Sequence, residues 1–417
     1  MSDFFQFVER SPTSWHAAKE LSLRFAEQDF SPLTEKEKWK LEPGQAYFLQ
    51  REGALLAAFR LPKHTPTGAL ILASHTDSPA LKIKPSPDLS NKEISQLGTE
   101  IYGGPLLHSW LDRDLAIAGQ VETEQGPKLV HLNDCPLIIP QLAIHLDRSI
   151  HEKGILVHKQ DHLKPVLSIK GNHTLDDLLK KQLNCKKIYA HDLFFVPTEK
   201  LGVLGLNQEL IAGYRLDNLS SVYPSLQALL HSKPREHTIQ MAIFWDNEEI
   251  GSLSTTGADS TFVDQLLERI CLSYKLDRED FHRLKSQSLT LSSDVGHGWN
   301  PNYSEKYDPQ NSPLLGHGVM LKFNASRKYA SDAASTAALS KIAETHHIPL
   351  QRSANRSDIP SGSTVGSIMA STTGIATLDL GLPCWAMHST REIIAASDLQ
   401  DLTRLLTAAL EDWTPYE

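Results

Sequence analysis

The sequence predicts an α/β protein with a mixed, largely parallel sheet flanked by helices and interrupted by an inserted strand-rich domain. Three observations carry that expectation. Short apolar-rich runs such as Ala69–Ser74 and Thr238–Trp245 read as strands. Beyond about residue 200 such runs alternate with amphipathic stretches of helical length, which implies crossovers between parallel strands. Between 85 and 199 the texture changes to short apolar pieces among scattered Pro and Gly, with a single helical pattern.

In chain order, Trp15–Gln28 reads as a helix, because Trp15, Ala18, Leu21 and Phe25 recur at helical spacing, with Ser14 as its expected cap. Strands are expected at Ala54–Arg60 and Ala69–Ser74, punctuated by Pro62, Pro66 and Gly68. The middle region offers Leu129–Leu132, Pro136–Leu142 and Val166–Ile169 as strand pieces and Leu175–Gln182 as a helix. Further strands are expected at Thr238–Trp245, Ser288–Ser292, Val319–Phe323 and Cys384–Met387. Helices are expected at Asn218–His231, Thr261–Tyr274, Asp332–His346 and Asp398–Trp413. The domain reading is therefore 1–84 with 200–417 as one domain and 85–199 as the insertion.

Composition narrows the function. The chain has 417 residues and a formal net charge of −9, the wrong sign for a protein that relies on a basic field to hold nucleic acid. No run approaches the roughly 18 apolar residues of a membrane span. The start, Met1 to Arg10, lacks the basic region and apolar core of a secretory signal. The four cysteines, Cys135, Cys185, Cys271 and Cys384, are far apart and form no CxxC pair, which fits a reducing cytoplasm and excludes a Cys-based zinc ribbon. Nineteen histidines in an acidic, Cys-poor chain direct attention to metal sites built from His and carboxylates.

Several expected strands end in residues of that kind. Ala69–Ser74 runs into His75-Thr76-Asp77, where an imidazole can ligate metal while the Asp orients it; a polar turn is the plain alternative. Asp217, before a helix, is either an N-cap or a carboxylate able to bridge two metals. Thr238–Trp245 leads into Asp246-Asn247-Glu248-Glu249-Ile250-Gly251. If both glutamates serve one site the chain must turn there, and Gly251 makes a turn easy. One Glu could then ligate while its neighbour accepts a proton from water; a solvated acidic loop is the alternative. Asp294 follows Ser288–Ser292, and His388 follows Cys384–Met387. Endings of this kind from several strands converge on one crevice in an open parallel sheet. The inventory suits two divalent ions with N/O ligands, zinc by preference, with cobalt or manganese as alternatives. Gly362-Ser363-Thr364-Val365-Gly366 is neither a P-loop nor a nucleophile elbow, and no HExxH is present.

Taken in order, Ser74–Pro79, Arg215–Asn218, Asp246–Gly251, Asp294 with Pro301-Asn302-Tyr303, and Met387–Glu392 resemble the M18 metalloaminopeptidases, the aspartyl aminopeptidase family. Ser11-Pro12-Thr13 with His16, Trp39 with Pro43-Gly44, Tyr102-Gly103-Gly104, Trp110 with Asp112–Leu115, and Tyr329-Ala330-Ser331 extend the resemblance over about residues 10 to 410. It implies a di-metal aminopeptidase fold whose insertion serves dimerisation and assembly, in a homo-oligomer that reaches a dodecamer built from dimers. It implies metal ligation by His75, Asp217, Glu249, Asp294 and His388, with Asp217 bridging. It makes Glu248 the general base and Asp77 the partner that orients His75. His145 would reach a neighbouring subunit's active site and steady the developing oxyanion. Lys322 would read an acidic substrate side chain. The implied activity is release of N-terminal Asp or Glu from peptides by a water held between the metals. Preference for neutral or hydrophobic N-termini, or a catalytically silent assembly protein, are the alternatives; a di-metal hydrolase for another bond ranks behind both. Gly298 and Asn300 depart from the family pattern, which has Ala and His there, and leave the pocket's shape open.

Overall fold

A computed structural model describes residues 1–415. The chain divides into two compact units: Met1–Asp77, Gly202–Met387 and the chain from Glu392 onward form the first, and Ser78–Leu201 with His388–Arg391 the second.

The first unit is organised by a nine-stranded sheet. Its order is Ser31–Leu33, Ala46–Arg51, Leu55–Arg60, Thr238–Trp245, Gly68–His75, Leu289–Ser293, Ala376–Gly381, Val319–Lys322 and Leu350–Ser353. The four strands from Thr238–Trp245 to Ala376–Gly381 run parallel. Leu55–Arg60 on one side and Val319–Lys322 on the other join this group antiparallel. Every residue of Gly68–His75 and of Thr238–Trp245 is buried, so both faces of these strands are covered. Alternate side chains serve opposite layers. Ile71, Ala73, Ile239, Met241, Ile243 and Trp245 pack with Phe262, Leu266 and Ile270 of the helix Phe262–Ser273 and with Val365 and Met369 of Val365–Thr373. Phe244 faces the other layer, its ring 6.2 Å from that of Phe25 in the helix Ser14–Ala26. Each such large apolar side chain, fully buried, stabilises the unit by about 1.5–3 kcal/mol.

Two expectations are corrected here. The helix expected at Trp15–Gln28 spans Ser14–Ala26, preceded by a helix Ser2–Glu9 that the sequence does not signal. The N-cap residue of Ser14–Ala26 is Thr13, extended and with its hydroxyl paired to His16 Nδ1 at 2.8 Å, so Ser14 is not the cap. The strand before His388 is Pro383–Trp385, and it lies outside the main sheet. It belongs to a small five-stranded sheet, pairing antiparallel with Glu392–Ala395 and parallel with Gly296–His297. A three-residue run with Pro at its start and Ala386 at φ 52 is too short and too sharply turned to continue a long buried strand. The sequence reading also passed over the helices Arg278–Ser286 and Val365–Thr373 and the central strand Ala376–Gly381.

The second unit is a six-stranded antiparallel sheet ordered Gly126–Leu137, Leu115–Thr123, Ile188–Pro197, Ala80–Asn91, Ile94–Tyr102 and Val166–Ser168. It begins before residue 85, because Ala80–Asn91 is one continuous strand. Its helix Leu175–Leu183 is capped by Thr174, whose hydroxyl oxygen accepts from the Asp177 N–H.

The main sheet has little slack where it carries Asp294. Asp294 N–H donates to Leu380 O at 2.9 Å, and a Cβ on Gly381 would lie 1.8 Å from Asp294 O. Gly381→Ala is therefore expected to destabilise the protein by about 1–3 kcal/mol, read as a lower urea midpoint. An unchanged midpoint would show that this backbone approach is not tight.

Candidate metal centre

Three neighbouring parallel strands deliver the site. His75 is the last residue of Gly68–His75, Glu248 and Glu249 follow Thr238–Trp245, and Asp294 follows Leu289–Ser293. The expected turn after Trp245 is present: Asn247 at φ 62 and Gly251 at φ 97 bracket one 3-10 turn, Glu248–Ile250. Asp77 holds it, its Oδ1 accepting the Glu248 N–H and its Oδ2 the Glu249 N–H, both at 3.1 Å. The nearest acceptor to His75 Nδ1 is the Asp77 backbone oxygen at 3.1 Å, with Asp77 Oδ1 at 3.4 Å. Asp77 thus orients the ring chiefly through its main chain and the two glutamates through its carboxylate.

Asp217 comes from the start of the segment Leu216–His231, but regular helix begins only after it, since Asp217 and Asn218 have non-helical dihedrals. It is not the N-cap. The Asp217–Asn218 peptide bond is cis. Asp217 N–H donates to Glu392 Oε2 at 2.9 Å, and Asn218 Nδ2 donates to Ser293 O at 2.9 Å, which tie this corner to neighbouring elements.

The ring of His75 then faces carboxylates. Its Nε2 lies 3.4 Å from Asp217 Oδ1 and 3.4 Å from Asp294 Oδ1. Two sets, His75 with Asp217 and Asp294, and His75 with Glu248 and Glu249, each bring their ligand atoms within 4.8 Å of one another. With Nδ1–H directed at the Asp77 carbonyl, Nε2 is the nitrogen with a lone pair, and two anionic oxygens beside it require a proton or a cation between them. That donor set, one imidazole and several carboxylates at mutual ligand spacing, fits a divalent metal with N/O preferences.

The same crowding appears as proton affinity. Burial pulls the His75 imidazole down, but the hydrogen bonds toward Asp217, Asp294 and Asp77 prevail and hold it well above its ordinary value. Glu248 is pushed up to about 8, by burial first, with Asp294, Asp77 and Asp217 adding to it against the opposing pull of His75. Glu249 rises well above the carboxylate range, through burial and then the charges of Asp217 and Glu248. Asp246 is pushed up to about 7 by burial and by Asp77.

The profile of the family described as aminopeptidase I zinc metalloprotease (M18) matches residues 7–409. The chain belongs to the M18 family of aminopeptidases. A protein of Pseudomonas savastanoi pv. phaseolicola named "Probable M18 family aminopeptidase 2" is 39% identical over 417 residues, covering 96% of either chain. Among solved structures, that of the Ape4 and Nbr1 complex superposes with a TM-score of 0.92 at 35% identity, covering 98% of this chain and 84% of the other. The S. cerevisiae mApe1 dodecamer superposes at 0.86 with 25% identity, covering 98% and 95%.

In this M18 chain the remaining expected residues lie as follows. Lys322 is 2% exposed, its ammonium donating to Asp294 Oδ2 at 3.1 Å and to Val295 O at 2.8 Å. His145 is exposed on a turn of the second unit. His388, at φ 67, groups with the second unit, where its Nδ1 donates to Gly104 O at 3.0 Å and its carbonyl accepts from the Leu106 N–H at 2.9 Å. The two departures have local roles. A Cβ on Gly298 would come 2.4 Å from Leu315 Cδ1, and Asn300 caps the turn Pro301–Lys306 by accepting the Asn302 N–H at 3.0 Å. Two contributors were not assigned from sequence. Glu392, 2% exposed, holds the Asp217 main chain. Arg215, 5% exposed, donates to Thr76 O. Burial lowers the pKa of Arg215, and the acidic neighbours Asp77, Asp246 and Glu392 oppose that fall. Only their place within the Arg215–Asn218 and Met387–Glu392 segments hinted at either.

These shifts set a pH dependence for metal-free protein. Glu248 holds a proton up to about pH 8 when folded but only to its ordinary 4.5 when unfolded, so the folded state carries more protons in that window. His75, raised above 6.5, acts in the same direction. Stability of the metal-free protein is therefore expected to fall as pH rises through this range. Zinc should raise the melting temperature more at the alkaline end, where it competes with fewer protons. Scanning fluorimetry across pH with and without zinc tests this, and a metal-free melting temperature that climbs with pH would contradict it.

Proposed function

We propose that this chain is a zinc-dependent aminopeptidase that releases N-terminal residues, Asp and Glu foremost, from peptides with a free N-terminus. The observation that carries the reading is the His75 imidazole facing Asp217 and Asp294 at 3.4 Å, with Glu248 beside it. His75 and Asp294 would hold one ion, Glu249 and His388 the other, and Asp217 both. The Nδ1 hydrogen bond of His388 to Gly104 O makes Nε2 the nitrogen that would ligate. When bound, two divalent cations would polarise the scissile carbonyl and acidify a shared water.

The protein's own groups supply the proton handling. Glu248 takes a proton from the attacking water and gives it to the leaving amine; an environment that resists its ionisation suits it to hold that proton in between. Asp77 fixes Glu248 through its main-chain N–H, so the base cannot swing with the loop. His145 would donate to the developing oxyanion in a neighbouring subunit. In support, Leu142, Ile144 and Leu146 around it are 63%, 37% and 74% exposed, an apolar surface that a partner copy would cover. We extend this to a homo-oligomer built from dimers, up to a dodecamer like that of the yeast relative. All four cysteines are free, which supports a cytoplasmic setting; no helix among the described residues is long and apolar enough to cross a membrane.

For the acidic preference the support is Lys322, which keeps a third N–H beyond those given to Asp294 and Val295. Its burial favours a second reading, a preference for neutral N-terminal residues, because an ammonium already spent on Asp294 has less to offer a substrate.

Glu248→Gln is expected to retain metal and lose about 10²–10⁴ in kcat. Full turnover in that variant would remove Glu248 from the role of base. His145→Ala is expected to lower kcat by about 10²–10³ with little change in KM, and an unchanged kcat would exclude it from catalysis. Profiling N-terminal Asp, Glu and Leu peptides with wild type and Lys322→Leu separates the two specificity readings. An acidic preference that survives the substitution assigns specificity elsewhere.

A further inference from the structure

The two oxygens of Asp294 have different company. Oδ1 lies 3.4 Å from His75 Nε2, on the metal-facing side, whereas Oδ2 accepts from Lys322 Nζ at 3.1 Å. The same ammonium donates to the carbonyl of the next residue, Val295, at 2.8 Å, so it grips one short segment at two points. The grip is enclosed. Lys322 ends a fully buried strand, and its Nζ lies 5.4 Å from the centre of the Tyr329 ring. A Cβ on Gly296 would come within 3.3 Å of Lys322 Cε and 2.1 Å of Met320 Cε, so the glycine leaves the space the lysine occupies. A carboxylate held this way cannot turn to present both oxygens to one ion without losing a charge-assisted bond and stranding a buried ammonium.

We propose that Lys322 is a positioning residue that restricts Asp294 to ligation through one oxygen and thereby biases the site toward zinc over manganese. This rests on the reading that Asp294 is a metal ligand. Zinc accepts four ligands in a tetrahedron, whereas manganese prefers six, largely oxygen, and gains from a carboxylate that supplies two. The role is separate from substrate recognition, since it acts before any peptide is bound.

The test is competition titration of full-length, metal-free protein with Zn²⁺ and with Mn²⁺ against a chromophoric chelator. Lys322→Met is expected to lower the ratio of zinc to manganese affinity by about tenfold or more. Removing a positive charge would by itself strengthen both metals equally, and damage to the site would weaken both. Affinities that move together in either direction therefore overturn the proposal. A crystal structure of zinc-loaded wild type tests it without a variant. One Asp294 oxygen should lie at about 2.0–2.2 Å from zinc with the other on Lys322, and two ligating oxygens would overturn it. Asp294→Ala distinguishes the underlying reading. If that variant binds zinc as wild type does, Asp294 is not a ligand, and the proposal falls with the site assignment and not through Lys322.

Discussion

The structure has to hold against the repulsion among carboxylates gathered at one end of a parallel sheet. Three adjacent strands bring Asp77, Glu248, Glu249 and Asp294 around His75, and Asp217 is added from a helix start. At an effective dielectric of about 20, two charges 4 Å apart repel by about 4 kcal/mol. Such a cluster persists only if it binds protons or cations, and the proton affinities of Glu248 and Glu249 are raised accordingly, by burial first and by the neighbouring carboxylates after it. A site that draws protons strongly draws divalent ions by the same field, and each ion bound must displace protons.

The fold supplies rigidity against that repulsion. The strands are buried on both faces and locked in register, so the groups at their ends cannot spread apart. Hydrogen bonds then oppose the residual strain: Asp77 carries the two glutamates on its own oxygens, Glu392 anchors the Asp217 main chain, and Asn218 reaches Ser293. Each of these uses a neutral N–H to stabilise an anion or a carbonyl near one, which lowers local repulsion without adding charge.

What could be read from sequence follows from this division. The central strands are legible because burial on both faces makes them mostly apolar, and Thr238–Trp245 is delimited to the residue. The candidate site is legible in part because strand ends converge whatever the detailed packing: that rule groups His75, Glu248, Glu249, Asp294 and His388, although the strand before His388 is not in the main sheet. Pro383–Trp385 escaped because a short apolar piece reads alike in a central sheet and in a small peripheral one. Val365–Thr373 escaped because its residues Gly366, Ser367, Ser371, Thr372 and Thr373 weaken any helical pattern, while packing of Val365 and Met369 stabilises it. Arg215 and Glu392 could not be assigned roles at all, since their parts are fixed by partners some 139 and 175 residues away in the chain.

Lys322 is the instructive case. Strand alternation puts Lys322 on the face opposite Val319 and Leu321, and a buried ammonium demands an anion. Two anions could meet that demand: a substrate carboxylate or a carboxylate of the protein. The chain supplies its own in Asp294, and Val295 O takes a second N–H. A cation placed on the outer oxygen of a metal-facing carboxylate does two opposed things. It weakens the ligand's charge toward the ion, and it fixes the direction from which that charge is offered. In a cluster already rich in negative charge, some of the attraction can be given up, whereas a defined ligand geometry cannot be supplied by charge alone. If Asp294 ligates a metal as proposed, the benefit of Lys322 at this position lies in geometry, and any recognition of substrate must share a group already bonded to Asp294.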